Sequence, residues 1–248
     1  DAWLVGGSTA TGRTTLLTMS NPGSVIATVT VTIYTENGHV TAAGTDGIVV
    51  PPGGQRVLSL AGFAPGAVSP VVRVQSTGSQ VVANLQQSVV RTLMPGGVDV
   101  IGATTSPSKL TVIPGLVLST MDAIESQVNQ PGYADLAPVL RFFVPGTHEA
   151  KAEISSVPES GEAKTVITKL TLAPGKVTEL PLGTFSEGPY TISGRSDVPL
   201  VAAARTSLYD QAAATGNSDC AWFAAAPMVK KDAIVAVANG PSPMLHLA

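Results

Sequence analysis

GIVVPPGGQRVLSLAGFAPGAVSPVVRVQSTGSQVVANLQQSVV, Gly47 to Val90, returns in altered form as LTLAPGKVTELPLGTFSEGPYTISGRSDVPLVAAARTSLY, Leu170 to Tyr209. Each copy reads as a short strand, a Pro-Gly turn (Pro52-Gly53 or Pro174-Gly175) and a second strand. A Gly/Pro-rich loop follows, then two more strands ending near Ser88 or Ser207. The phase of the side chains is kept as well. Leu58 and Leu60 share one strand face, as Leu180 and Leu182 do in the echo.

Upstream, Val25, Ala27, Val29, Val31 and Ile33 alternate with Ile26, Thr28, Thr30, Thr32 and Tyr34; the echo sets Ala150, Ala152 and Ile154 between Glu149, Lys151, Glu153 and Ser155. A period of two marks half-buried strands, since successive strand side chains point to opposite faces. A slip of one residue would turn the apolar row to water, so retained phase implies a retained sheet. Fold class follows: all-β, two tandem immunoglobulin-like antiparallel β-sandwiches related by internal duplication. The expected units are 1–98, 99–218 with an insertion near 116–137, and a tail, 219–248, that repeats the opening motif and packs on one of the sandwiches. In this reading AWLVGG at the start, the stretch from Asp99 and the stretch from Asp219 are three openings, with Trp3 and Trp222 in the same place.

Composition agrees. In 248 residues, aromatics are 4% and charged residues 12%, while Val, Ala, Thr, Ser, Gly and Pro dominate, as short strands and tight turns require. A net charge of -3, with no basic run beyond Lys230-Lys231, excludes an electrostatic case for nucleic acid. No run reaches the roughly 18 to 20 apolar residues that cross a bilayer. The chain begins with Asp1, so a signal peptide or anchor would lie before it. Asn21-Pro22-Gly23 reads as a hairpin corner, and Asn37-Gly38 as a turn with positive φ at both central residues.

Motifs that suggest chemistry fail on context. GSTATGRT, Gly7 to Thr14, imitates a phosphate loop, but that chemistry needs a helix next and Thr14 to Met19 reads as a strand. Ser106-Pro107-Ser108-Lys109 has the S-x-x-K spacing, yet Leu110 to Ile113 looks extended and no K-T-G strand accompanies it. His39, His148 and His246 have no neighbouring ligand at metal spacing and read as exposed loop residues. Glu149 with Glu153, and Glu159 with Glu162, read as solubilising charges, because glycoside hydrolysis needs carboxyls facing across a cleft. Trp3, Trp222 and Phe223 read as core plugs, and the lone Cys220 as a small buried hydrophobe.

The insertion is what one copy has and the other lacks. Ser119 or Thr120 is placed to cap a short helix through Val128, which Pro131-Gly132 would end. Met121, Asp122, Glu125, Gln127 and Tyr133 are therefore the candidate interaction residues, in a functional loop, an interdomain brace or a plain connector.

AWLVGGSTATGRTTLLTMSNPG, IVVPPGGQRVLSLAGFAPG and SPVVRVQSTGSQVVANLQQSVVR, with GGVDVIG following, resemble an uncharacterised family of actinobacterial extracytoplasmic proteins known only as a domain of unknown function. The resemblance spans nearly the whole chain and is strongest over 1–116. It implies a secreted or membrane-anchored envelope protein and carries no catalytic residues. The expectation is a non-catalytic cell-envelope scaffold or protein-interaction module, without cofactor or metal, whose partner is an envelope protein or a cell-wall polysaccharide. A cell-wall glycan-binding module is the alternative; a hydrolase with a site built from distant loops is a remote one.

Overall fold

In the computed structural model, residues 1–161, 164–183, 185–210, 217–229, 240, 244–246 and 248 are described. Glu162, Lys230-Lys231 and much of the expected tail lie outside them. The first half contains β1 (Ala2–Val5), β2 (Arg13–Ser20), β3 (Ala27–Thr35), β4 (Gly38–Val40), β5 (Ile48–Val50), β6 (Gln55–Ser59), β7 (Val71–Thr77), β8 (Val82–Arg91) and β9 (Met94–Ile101). The second contains β10 (Ser108–Leu118), α1 (Met121–Gln127), β11 (Val139–Phe143), β12 (Ala150–Pro158), β13 (Thr165–Leu172), β14 (Val177–Pro181), β15 (Gly188–Asp210) and β16 (Asn217–Ala224). The chain is all-β, and among the described residues every pairing between these strands is antiparallel.

Sheet A runs β1-β7-β3, with β4 and β5 both on the far side of β3; sheet B runs β6-β2-β8-β9. In the second half, β10 and β12 flank the first part of β15, with β13 beyond β12, forming sheet C. Its later part is flanked by β11 and β16, with β14 beyond β11, forming sheet D. The order β1-β7-β3-β5 thus recurs as β10-β15-β12-β13, and β6-β2-β8-β9 as β14-β11-β15-β16. One strand, β15, does in the second unit what β7 and β8 do separately in the first.

The Pro-Gly turns connect sheets. Gly54 donates to the Pro51 carbonyl across Pro52-Gly53 (2.9 Å), and Gly53 supplies the positive φ, +62°, that closes the turn between β5 in sheet A and β6 in sheet B. Gly175, φ +70°, stands between β13 and β14 in the same way. Leu60 and Leu182, the echoed pair, are both fully buried.

Four local expectations need correction. Asn21-Pro22-Gly23 joins β2 in sheet B to β3 in sheet A, so it crosses between sheets and closes no hairpin; the Asn21 side chain donates to the Val25 and Val50 carbonyls and accepts from Gly23 N. The β3–β4 hairpin turns on Glu36-Asn37, with Thr35 facing Gly38, and the positive φ belongs to Gly38 alone. The boundary expected at 98/99 falls inside β9, which stays paired to β8 through Ile101. Trp3 and Trp222 occupy different strands: β1 lies beside β7, whereas β16 lies beside β15 as β9 does beside β8. The stretches at Asp99 and Asp219 therefore close sheets, because similar short apolar strands find different partners.

Candidate functional site

Sheet D is buried on both faces. Leu200, Ala202 and Ala204 enter the second core, while Val201 and Ala203, with Phe143, Val177 and Trp222, join the core of the first unit. β11 is buried at every position, and β15 from Leu200 through Ser207. The second unit lies across the open edge of the first, between β1 and β9. Beside that edge, on the outer face of sheet A, Phe143 packs on Trp3 and Tyr34, with ring centres 5.6 and 4.3 Å apart.

Arginines occupy this seam. Arg141, in β11, faces Glu179 in β14 and is fully buried. Its Nε and Nη2 donate to Glu179 Oε1 (2.9 and 2.7 Å), and Nη1 donates to the Gly7 and Pro70 carbonyls of the first unit (3.0 and 2.9 Å). Burial draws its pKa down to about 10, against the Glu179 carboxylate, which raises it. The group remains a cation at neutral pH. Its guanidinium lies 4.5 Å from the centre of the Trp222 ring, and Arg205 lies 5.7 Å from it. Trp222 Nε1 donates to Gln87 Oε1 in the first unit (2.7 Å), and its backbone N donates to Asp99 Oδ2 (2.6 Å).

The insertion contributes a second lock. Asp135 Oδ1 accepts from Arg13 Nη2 and Arg91 Nη2, both at 2.7 Å, and Oδ2 from Arg13 Nε at 3.0 Å. Both arginines also donate to the Gly132 carbonyl, at 2.6 Å from Arg13 and 3.2 Å from Arg91. Burial pushes the Asp135 carboxyl up, but the paired guanidiniums outweigh it and hold the group below the usual carboxylate range. Arg91 also donates to Ser218 Oγ (2.7 Å) and lies over the Tyr133 ring, 5.2 Å from its centre. Because β9 and β16 run so close, a Cβ on Gly97 would stand 2.7 Å from Cys220 N and 2.8 Å from Asp219 Cα.

The expected helix is α1, from Met121 to Gln127. Thr120 precedes it with a left-handed backbone, and its hydroxyl accepts from Tyr209 N (3.0 Å), so it ties the helix to β15 and makes no cap bond of its own. Glu187 accepts from Met121 N instead, at 2.9 Å. Asp122 and Glu125 are exposed, Gln127 is half-buried, and Met121 packs against the second core. Tyr133 meets Tyr209 edge-on, 6.1 Å between centres. Sequence reading missed Arg13, Arg91, Asp135, Arg141, Glu179 and Arg205. The available signals were an arginine inside the apolar run VLRFFV and the unbroken run LVAAA, which lacks the alternation of a half-exposed strand.

The motifs set aside earlier have structural places. Arg13–Ser20 after the GSTATGRT loop is a strand, and Ser8 and Thr9 hydroxyls donate to the Ala67 and Ala64 carbonyls. Lys109 lies in β10, so S-x-x-K spans no helix. Glu153 pairs with Lys169 (3.0 Å) and faces Arg195 across sheet C, beside an open groove of about 460 Å³. Its charges alternate and answer one another. His246 meets Glu159, Nδ1 to Oε2 2.7 Å, a partner too distant in sequence for spacing to find. Burial pushes the half-buried Cys220 thiol up to about 11, so it is not a neutral-pH nucleophile. Among the described residues, no three His, Cys, Asp or Glu side chains are grouped to hold a metal, and no helix is long and apolar enough to cross a membrane.

Fold and seam define a two-unit all-β protein whose buried charges join its halves. The chain belongs to the family of unknown function DUF5719, whose model matches residues 1–248. Among curated proteins no relative matches. The chain is similar to the crystal structure of Thermotoga maritima 1070 at 20% identity and TM-score 0.35, covering 48% of this chain and 95% of that one. Weaker similarity extends to the serine-rich repeat protein Srr2 of Streptococcus agalactiae (8% identity, TM-score 0.18, covering 90% and 89%). It extends also to the tandem CBM22 domains of Paenibacillus barcinonensis Xyn10C (11%, 0.18, covering 78% and 77%). None of these likenesses is close enough to carry an argument.

Proposed function

We propose that this chain is a non-catalytic, extracytoplasmic scaffold or protein-interaction module of the actinobacterial cell envelope, its two units descended from an internal duplication. The single observation that carries the reading is the seam. Arg13 and Arg91 hold Asp135 and the Gly132 carbonyl across the junction, and Arg141, paired with Glu179 in its own sheet, holds the Gly7 and Pro70 carbonyls across it. Ion pairs and indole are thus committed to keeping two sandwiches at a fixed angle, which suits a spacer that presents surfaces. The recurrence of strand order in both halves supports duplication.

Co-sedimentation with isolated actinobacterial envelopes tests it. Binding that disappears after protease treatment of the envelopes, and survives polysaccharide removal, is the expected result. Loss on polysaccharide removal alone would replace it with glycan recognition, and a chain that stays in the supernatant throughout would overturn envelope binding.

A further inference from the structure

The second unit grips the first toward one end, through Arg13 at the start of β2, Tyr34 near the close of β3 and Arg91 at the close of β8. The other ends of these strands, Ser20, Ala27 and Val82, meet at the opposite pole, about 24 Å from Arg13 at roughly 3.4 Å per strand residue. Three corners come together there, 21–26, 49–56 and 78–82, and Asn21 ties them. Its Nδ2 donates to the Val25 and Val50 carbonyls (2.7 and 3.1 Å), and its Oδ1 accepts from Gly23 N and Ser79 Oγ (3.0 and 2.9 Å). Its backbone N donates to the Gly54 carbonyl (2.9 Å), and Gly78 is pressed against the Ile26 carbonyl, where no Cβ fits.

On this mount, apolar side chains face water. Val25, Ile26, Val49 and Val82 range from 46% (Val49) to 60% (Val82) exposed, and Pro22, Pro51 and Pro52 are exposed beside them. Across the three corners the one charged residue is Arg56, exposed, with its Nε donating to the Val49 carbonyl (3.0 Å). The flanking carboxylates are engaged: Asp1, which shares a polar groove with Gln80 and Val81, pairs with Arg73, and Asp46 accepts from Thr30.

The fold does not demand such a surface. Matching Pro22-Gly23 and Ala27 to Pro145-Gly146 and Ala150 sets Val25 and Ile26 against His148 and Glu149, both exposed. Matching Pro52-Gly53 to Pro174-Gly175 sets Val49 against Thr171 and Gly54 against Lys176. Equivalent corners are polar in one unit and apolar in the other, so the apolar tips answer to something outside the chain.

We propose that this pole is a docking surface for an anionic lipid bilayer, with Val25, Ile26 and Val82 entering the headgroup layer and Arg56 meeting the lipid phosphates. Convex tips carried on three turns suit a fluid surface that moulds around them. A second copy is a poor match, because pole against pole would bury Arg56 with no carboxylate among the corners to receive it. So seated, the chain points its seam and second unit away from the lipid.

The test is flotation of the whole chain with vesicles at millimolar lipid. Phosphatidylglycerol vesicles carry the chain upward, and phosphatidylcholine vesicles bind it about fivefold less, the effect of one arginine at an anionic surface. Arg56→Gln removes that difference. Val25→His combined with Ile26→Glu installs the second unit's own corner, leaves Tm unchanged and lowers binding to either vesicle about tenfold. Leu93→Glu, at an 87% exposed position in the turn after β8, leaves binding unchanged. Absence of flotation with phosphatidylglycerol, native-like binding by the double variant, or equal loss in Leu93→Glu overturns the proposal. Self-association that the double variant abolishes, without vesicle binding, overturns it in favour of a second copy. Envelope sedimentation repeated with the double variant reports the protein partner without the lipid contact, so this proposal and the scaffold reading fail separately.

Discussion

Sheet B and sheet D share a strand order and differ in what lies on their outer faces. The register that equates Leu17 with Leu140 and Leu85 with Ala204 sets the row Val57–Thr18–Asn84 in sheet B against Glu179–Arg141–Ala203 in sheet D. It likewise sets Gln86–Val100 against Arg205–Trp222. Val100 is 62% exposed and Trp222 8%. One framework thus accepts an uncharged, wet face and a face with two buried guanidiniums. The inner row must remain apolar for either sandwich to have a core; the outer row is free to acquire a contact.

The strongest way to break the comparison is at Arg141. Arg141→Leu leaves Glu179 and two carbonyls without their donor, and should lower the unfolding free energy by about 3–5 kcal/mol in urea denaturation. If the loss is below about 1 kcal/mol, the seam is not what stabilises sheet D. Gly97→Ala should cost about 2–3 kcal/mol, because its φ of +112° and the nearby β16 backbone both oppose a Cβ. The same denaturation curves measure it. Trp222→Phe keeps a ring but leaves Gln87 Oε1 without its donor, an expected loss of about 1–2 kcal/mol and a lower Tm.

Acid sharpens the contrast between the insertion and the rest. The Asp135 pKa is lower in the folded than in the unfolded chain, so its stabilisation is complete above the ordinary value of 3.8 and is lost as pH falls through the folded value. Asp135→Asn should accordingly destabilise the chain at neutral pH by about 1–2 kcal/mol, with the difference from the native chain shrinking below pH 3.8. A difference that stays constant well below that pH would contradict the ion-pair account. The smallest effect belongs to Thr18→Ala, the sheet B counterpart of Arg141, which should stay within about 0.5 kcal/mol.

What could be read from sequence divides along the same line. β3 and β8 alternate with a period of two because one face is wet, and this gave fold class and inward rows directly. α1 was legible because it is local, bounded by Ser119-Thr120 and Pro131-Gly132. Closing strands looked like opening strands because AWLV and CAWFA have the same character, and only pairing with β7 or β15 separates them. Asp135 and its two arginines lie 122 and 44 residues apart along the chain, distances at which no spacing rule operates. The continuous run LVAAA did carry the message of two-sided burial, though not the identity of what covers the second face.

β15 has a consequence for how the chain acquires its shape. In the first unit the centres of the two sheets, β7 and β8, are separate strands, and pairing through β9 is complete by Ile101. In the second, β10, β11, β12 and β16 all pair with one strand that begins only at Gly188. During synthesis, β10, β11 and β12 emerge well before that partner, and their apolar faces stay uncovered until it arrives. The second unit is thus a late, all-at-once event with long-range pairings, while the first can condense early and wait with its open edge for Trp222.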